Sequence, residues 1–349
     1  MSSFALREAR ASDSRALAEL AAGSADTGQV AFSPRYRLPV VDVVRAKHPG
    51  AVGVVAEAAG HPGLVGAGWI SPGTCRLGER TVPSALLHAL TVHPSWRRRG
   101  IATALTAWRL ARAAEQFGEE TLVYAGIQEG NAASLANARR WARQVTGRLV
   151  VAPVPMRRRP PTRRPGVTVR AMRADEADVL AGVLAEQYRD CELAPCDDAG
   201  QIRAWLARSP AGTPLNEYVV AVDDTGRWLA GAGVEAEAQL LTLHVERMSW
   251  AVERVNALVK LVPADREMRN VNVRAPWYLP GHREAGEYLW QTLRWSCRDR
   301  GSSLVTTLDA RSPLRRMLRS PRWLPTTTLQ VAVRSAQPLD DGRLLGPGL

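Results

Sequence analysis

Residues 88–105, His-Ala-Leu-Thr-Val-His-Pro-Ser-Trp-Arg-Arg-Arg-Gly-Ile-Ala-Thr-Ala-Leu, hold the residue types and spacing best suited to chemistry in this 349-residue chain. An apolar strand ends at Val92, a turn carries Arg97, Arg98, Arg99 and Gly100, and a helix opens with Ile101, Ala102 and Thr103. A helix N-terminus offers unpaired backbone N–H groups and the positive end of the helix dipole, so this junction is built to grip a phosphate. A side chain at position 100 would hold a diphosphate away from those donors, and a small residue at 102 keeps the first helical turn slim. The arginines add screened charge, with Arg99 facing either phosphate or solvent. A phosphorylated cofactor is the chemistry implied. The dinucleotide fingerprint fits poorly, because it wants three glycines opening a βαβ unit and an acidic residue on the next strand.

The strand at 84–92 and the helix at about 100–117 belong to a longer plan. Ala5 to Asp13 reads as a strand and polar cap before Leu17, Leu20 and Ala21 at helical spacing. Residues 51–56 and 64–71 form a hairpin around Gly60-His61-Pro62-Gly63, and strands at about 121–127 and 149–154 flank a helix at about 131–143. The second half repeats the opening with Thr168 to Glu176 before Val179, Leu180 and Val183, then a hairpin around Asp223-Asp224-Thr225-Gly226. Either Leu240–Val245 or Val271–Val273 would precede a second turn at Pro280–Tyr288, built on Arg283 and Gly286, and Ser303-Leu304-Val305 would precede a helix reaching Trp323. The expectation is an α/β fold with mixed sheets in two tandem domains, 1–155 and 167–336. A Pro/Arg linker at 156–166 would join them, and 337–349 would be a flexible tail.

Val92, Pro94, Arg97, Gly100 and Ala102 stand at the spacing of the acyl-CoA signature of the GCN5-related N-acetyltransferase (GNAT) family, which this chain resembles. The resemblance implies two acyl-CoA N-acyltransferase domains, with acetyl-CoA or another short-chain acyl-CoA as co-substrate and a small-molecule primary amine as acceptor. It implies that Arg97, Arg98, Arg99, Gly100, Ile101, Ala102 and Thr103 hold the diphosphate. The strand ending near Val92 would part from its parallel neighbour, and the backbone of Leu90, Thr91 and Val92 would bind pantetheine and polarise the acyl carbonyl. His88 is either the base that deprotonates the amine or a cleft-lining histidine; it shares a face with Leu90 and Val92 only if the strand carries no bulge. Asn137 and Ala138 stand where the family has Leu-Tyr, so the usual acid is missing, and Ser134, Tyr124 or a water would replace it. Asn131 either binds pantetheine or caps its helix. The tandem arrangement is similar to that of the mycothiol synthase-type members of the family, with a degenerate second turn in which Glu284, Glu287 and Tyr288 oppose phosphate binding. Acceptor choice would fall to residues 23–50, Arg35 and Tyr36 among them, and to the second half. Two other readings fit the same turn: a non-catalytic acyl-CoA-binding regulatory or scaffold protein, and an enzyme of this fold using the thioester differently.

A hydrophobic content of 46% is enough to fill two cores. The formal net charge of +12 raises nucleic acid as a partner, yet Lys47 and Lys260 are the only lysines and arginine is spread along both halves, so nucleic acid is not the expected partner. The run from Arg157 to Arg164, broken by Pro160 and Pro161, reads as a stiff linker or a contact for a polyanion. Cys75, Cys191, Cys196 and Cys297 are scattered, which proposes neither a metal site nor a disulfide framework. No signal-peptide pattern and no run of about 18 apolar residues occurs, so a cytoplasmic protein without a membrane partner is expected. A homodimer stays open.

Overall fold

The computed structural model describes residues 4–24, 30–259, 262–318 and 326–347. The first half contains β1 (Phe4–Glu8), α1 (Ser14–Ala22), β2 (Val30–Tyr36), α2 (Val40–Lys47), β3 (Val52–Ala58), β4 (Leu64–Leu77), β5 (Arg80–Val92), α3 (Ile101–Phe117), β6 (Leu122–Gln128), α4 (Ala132–Ala138) and β7 (Gln144–Pro155). The second half begins with β8 (Thr168–Ala171), α5 (Ala177–Gln187), β9 (Cys191–Glu192), α6 (Ala199–Leu206), β10 (Asn216–Val222), β11 (Trp228–Glu235), β12 (Leu241–Met248) and α7 (Trp250–Val259). It ends with β13 (Glu267–Met268), β14 (Asn270–Tyr278), α8 (Arg283–Ser296), β15 (Ser303–Asp309), α9 (Arg315–Leu318), β16 (Thr327–Arg334) and β17 (Leu344–Leu345). The helix expected to reach Trp323 is described only to Leu318; Trp323 lies outside the described residues.

The repeated openings fold alike because each carries the same ion pair. Arg7 pairs with Asp13 at 2.7 Å and Arg170 with Glu176 at 2.6 Å, and each acid also accepts a backbone N–H, from Arg10 and Arg173 respectively. These carboxylates hold the first turn that leads into α1 or α5.

One 12-stranded sheet crosses both halves in the order β1-β3-β4-β5-β6-β16-β7-β15-β14-β11-β10-β8. Only β5–β6 and β14–β15 run parallel within it. The halves interlock instead of lying end to end. The last long strand of the second half, β16, lies between β6 and β7 of the first, and β7 in turn pairs with β15. Each half thus covers a sheet edge that the other would leave open. The linker is tied down as well, with the Arg157 N–H bonded to the Arg294 carbonyl at 2.9 Å and its guanidinium to Gln291 at 2.8 Å.

Residues 337–347, expected as a flexible tail, pack back onto the molecule. Leu339 and Leu345 are buried, Gln144 bonds the backbone of Leu339, and β17 pairs with β9. Their apolar residues fill space beside β15 that the sheet would otherwise expose.

The segment between α1 and β3 faces the second half. β2 joins β12 and β13 in a separate sheet, and Lys47 at the end of α2 reaches Glu237 and, at 3.8 Å, Glu235. Arg208 donates to the carbonyls of Ala46 and Lys47 at 3.2 and 3.1 Å, closing the C-terminus of α2 from across the junction. Trp205, Trp277 and Trp290 are core residues, whereas Trp250 is exposed.

Candidate functional site

The arginine turn has the backbone that its sequence requires. Gly100 caps α3 at φ +82°, and a Cβ built on it would meet nothing within 4 Å, so the space in front of the helix is open. The first helical bond runs from the Ala104 N–H to the Gly100 carbonyl at 3.0 Å, which leaves the N–H groups of Ile101, Ala102 and Thr103 without helical acceptors. Arg98 is also left-handed, at φ +62°, where a glycine would sit without strain. Arg97, Arg98 and Arg99 are exposed, and Arg99 lies 4.5 Å over the ring of Trp96. Three exposed arginines and three N–H groups without helical acceptors therefore lie within one turn, an arrangement that suits a diphosphate.

β5 leaves its parallel neighbour where the turn's ligand would continue. It pairs with β6 only from Ser84–Leu86 to Leu122–Tyr124, and beyond that the two strands diverge. On its other side β5 stays paired with β4 to the end, with the His93 N–H donating to the Val65 carbonyl at 3.0 Å. Alternation along the strand then turns the N–H groups of Val92 and Leu90 toward the open side, and that of Thr91 toward β4.

A bulge divides the faces of β5. Ala67 pairs with Thr91 and Trp69 with His88, so Ala89 and Leu90 together oppose Gly68, and Ala89 takes φ +49°. Leu90 and Val92 consequently pack with Ile101 and Leu105 of α3, while His88 turns to the opposite face and stacks on His48 with 4.6 Å between ring centroids. The condition attached to His88 thus resolves against a shared face. His88 Nε2 is 2.7 Å from Ser71 Oγ, and burial, then His48 and Arg109, push its pKa well below the usual histidine value. His48 is likewise lowered to about 4, by burial and then by Lys47, Arg274 and Arg208. Both rings are therefore neutral near pH 7.

The other candidates fall on both sides of the sheet. Tyr124 points to the His88 face among Cys75, Leu122 and Leu329, where burial raises its phenol well above the ordinary value and keeps it protonated. Arg274 and Asp197 of the second half, paired at 2.6 Å, lie close enough to act on that phenol electrostatically. Ser134 is on α4, whose residues pack against Ile127 on the α3 side. Asn131 caps α4 by accepting the Ser134 N–H at 3.0 Å. Ala138, in the place of the missing tyrosine, is buried, and Asn137 before it donates to Thr106 of α3 at 3.0 Å. The residue that sequence reading missed is Arg109, fully buried between α3 and the bulge.

The second half repeats the wedge in a closed form. β14 and β15 pair only from Asn270–Val273 to Ser303–Thr306, and Ala275 takes φ +44° where Ala89 does in the first. Here the hydroxyl of Tyr218 bonds the Ala275 carbonyl at 2.8 Å, the hydroxyl of Tyr188 bonds that of Pro276, and the Leu345 N–H bonds Asp309 at 2.9 Å. A cavity of about 240 Å³ remains, lined by Tyr278, Leu308 and the tail residues Leu344, Leu345 and Pro347. The left-handed glycine of this turn is Gly281; Gly286, expected to be the turn glycine, sits inside α8 against Met317 and Tyr278. Glu284 and Glu287 lie in the first turns of α8, opposite Arg164 and Arg283.

Among the described residues no cluster of His, Cys, Asp and Glu could hold a metal ion, and no helix is long and apolar enough to cross a membrane.

Residues 25–141 match the family model described as Acetyltransferase (GNAT) family. No curated protein matches the sequence. Among solved structures, N-myristoyltransferase of Saccharomyces cerevisiae with bound myristoyl-CoA aligns at a TM-score of 0.65 with 12% identity, covering 100% of this chain and 90% of that one. A tandem GNAT protein from the clavulanic acid biosynthesis pathway aligns at 0.60 with 16% identity, covering 97% of this chain and 100% of that one. A GCN5-related N-acetyltransferase from Sphaerobacter thermophilus aligns at 0.57 with 14% identity, covering 97% of each. Identities this low speak to fold alone: the chain shares the mixed α/β sheet of these acyltransferase structures, and the match to the GNAT family model is confined to residues 25–141.

Proposed function

We propose that the protein transfers an acetyl or other short acyl group from acyl-CoA to a primary amine of a small molecule, by direct attack while both are bound. The observation that carries this is the continuity of two features on β5 and α3: a strand edge with the N–H groups of Leu90 and Val92 turned outward, leading into the open Gly100 turn with its three arginines. The turn would hold the diphosphate and the strand edge the pantetheine. Donors fixed along that edge would meet the negative charge that builds on the acyl oxygen. His88, neutral and hydrogen-bonded to Ser71, would take the proton from the amine. Tyr124 keeps its proton and would donate it, directly or through water, to the leaving sulfur.

The acceptor would enter from the His88 face, between α2 and the second half, where Arg208, Arg274 and Asp197 approach. In this reading residues 1–155 carry the CoA site, and the second half, its wedge closed by Tyr218, Tyr188 and the tail, shapes the acceptor pocket. Any likeness to mycothiol synthase-type members would lie in the tandem plan and would assign no particular acceptor.

Thiol release from acetyl-CoA with a mixed panel of small amines tests the proposal. Amine-dependent release and an acetylated product by mass are expected. A second reading, a CoA-binding module without turnover, is favoured by Ala138 standing at the end of α4 where the family has tyrosine; tight acetyl-CoA binding with no product from any amine would select it.

A further inference from the structure

Arg109 is a buried cation without a counterion. Its residue is 2% exposed, and no carboxylate pairs with it among the described residues. Its Nη1 donates to the carbonyls of Trp69 and His88 at 3.3 and 3.4 Å, its Nε to Leu105 at 3.3 Å, and its Nη2 to the Thr106 hydroxyl at 3.1 Å. Thr106 in turn receives Asn137 of α4. Room for the guanidinium comes from Gly68, where a Cβ would lie 3.1 Å from its Cζ.

The carbonyls of Trp69 and His88 belong to the last paired residues before the bulge, which disrupts the ladder beside them. The second half has a bulge at the same place, where the neutral hydroxyls of Tyr218 and Tyr188 bond the carbonyls of the bulged residues Ala275 and Pro276 themselves, while the buried face of α8, Ala285, Gly286, Leu289, Trp290 and Leu293, carries no cation. Satisfying a bulge therefore needs no charge. An unpaired buried guanidinium is costly, and among the described residues it stands in the half whose wedge is open.

We propose that Arg109 is a positioning residue for acyl transfer: it clamps the β4–β5 bulge that aims Leu90 and Val92 at the thioester, and sets a fixed positive charge behind the acyl oxygen. This rests on the acyltransferase reading above.

The test compares Arg109→Met and Arg109→Lys with the natural chain in three measurements: acetyl-CoA affinity by calorimetry, kcat with the best amine of the panel, and backbone hydrogen exchange in the free protein. Arg109→Met should keep its acetyl-CoA affinity within threefold and lose about 10²-fold in kcat, the scale for weakening one preorganised donor site. Exchange at Thr91 and His93 should rise at least about tenfold while β10 and β11 stay unchanged, since local opening follows the lost clamp. Arg109→Lys should recover part of the kcat, because a single ammonium cannot span the carbonyls as the fork does. Full kcat in Arg109→Met, unaltered exchange at Thr91 and His93, or a loss of acetyl-CoA affinity equal to the loss of kcat each overturns the proposal. If Arg109→Met does not fold, Arg109→Lys decides, and natural kcat and exchange in that variant refute the clamp. A natural chain that turns over no amine refutes the acyltransferase reading, and the exchange measurement then decides the clamp on its own.

Discussion

Replacing Gly100 separates the phosphate grip from the fold. At φ +82° an L-residue in the left-handed region costs roughly 1–2 kcal/mol, and because nothing lies within 4 Å of the built Cβ no clash is added. Gly100→Val should therefore stay folded. The same side chain projects into the space in front of the Ile101, Ala102 and Thr103 donors, and losing two charge-assisted bonds of about 1.5–3 kcal/mol each would weaken CoA binding by about 10²- to 10⁴-fold. Calorimetric titration with CoA, and with pantetheine as a ligand lacking the diphosphate, isolates the effect. CoA affinity should fall while pantetheine affinity holds. Gly226→Ala is the matched control for strain, at φ +84° in the β10–β11 turn with equally open space, and should leave CoA binding alone. Undiminished CoA affinity in folded Gly100→Val, or an equal loss for pantetheine, would refute the assignment of this turn.

Acid should unfold the protein partly through His48. A histidine whose folded pKa is depressed gives full stability above its unfolded value of 6.5 and loses it as pH falls toward the folded value of about 4, by roughly 3 kcal/mol. Midpoint temperatures measured from pH 7 to pH 4 should fall less steeply in His48→Gln than in the natural chain, and parallel curves would contradict this. The Lys47–Glu237 contact binds the halves, so Lys47→Met should lower stability in urea by about 3 kcal/mol through a stranded carboxylate, and Lys47→Met with Glu237→Leu should recover most of it; equal losses in single and double variants would argue against a charge effect. Because β16 lies between β6 and β7, a fragment of residues 1–155 should fail to fold alone and regain structure when co-expressed with residues 156–349. A soluble fragment with cooperative unfolding would show that the exchanged strand is dispensable.

What the sequence revealed was local. Gly100 and the residues after it could be read as a phosphate turn because the left-handed cap and the unpaired donors follow from a few adjacent residues. The paired openings were visible for the same reason, since Arg7 with Asp13 and Arg170 with Glu176 keep one spacing. Strand exchange was not legible. β7 and β16 both carry alternating apolar residues, and nothing within either says whether its neighbour is β6 or β15. The second turn misled by its spacing: Arg283 and Gly286 repeat the motif, but the chain turns at Gly281, so Gly286 falls within the helix and serves close packing.

The bulge shows why a site can stay hidden even when its motif is plain. Its outline depends on Ala89 and Leu90 meeting a single residue, Gly68, on a strand about twenty positions earlier, and on a side chain one helix away. In a chain this rich in arginine, Arg109 looks like another solvated charge at the amphipathic spacing of α3. The one sequence signal pointing inward was its phase, because Ile101, Leu105 and Ala113 share its helical face and all three are buried. A cation on the apolar stripe of the helix that follows a phosphate turn, opposite a glycine on the facing strand, is the pattern that would have found it.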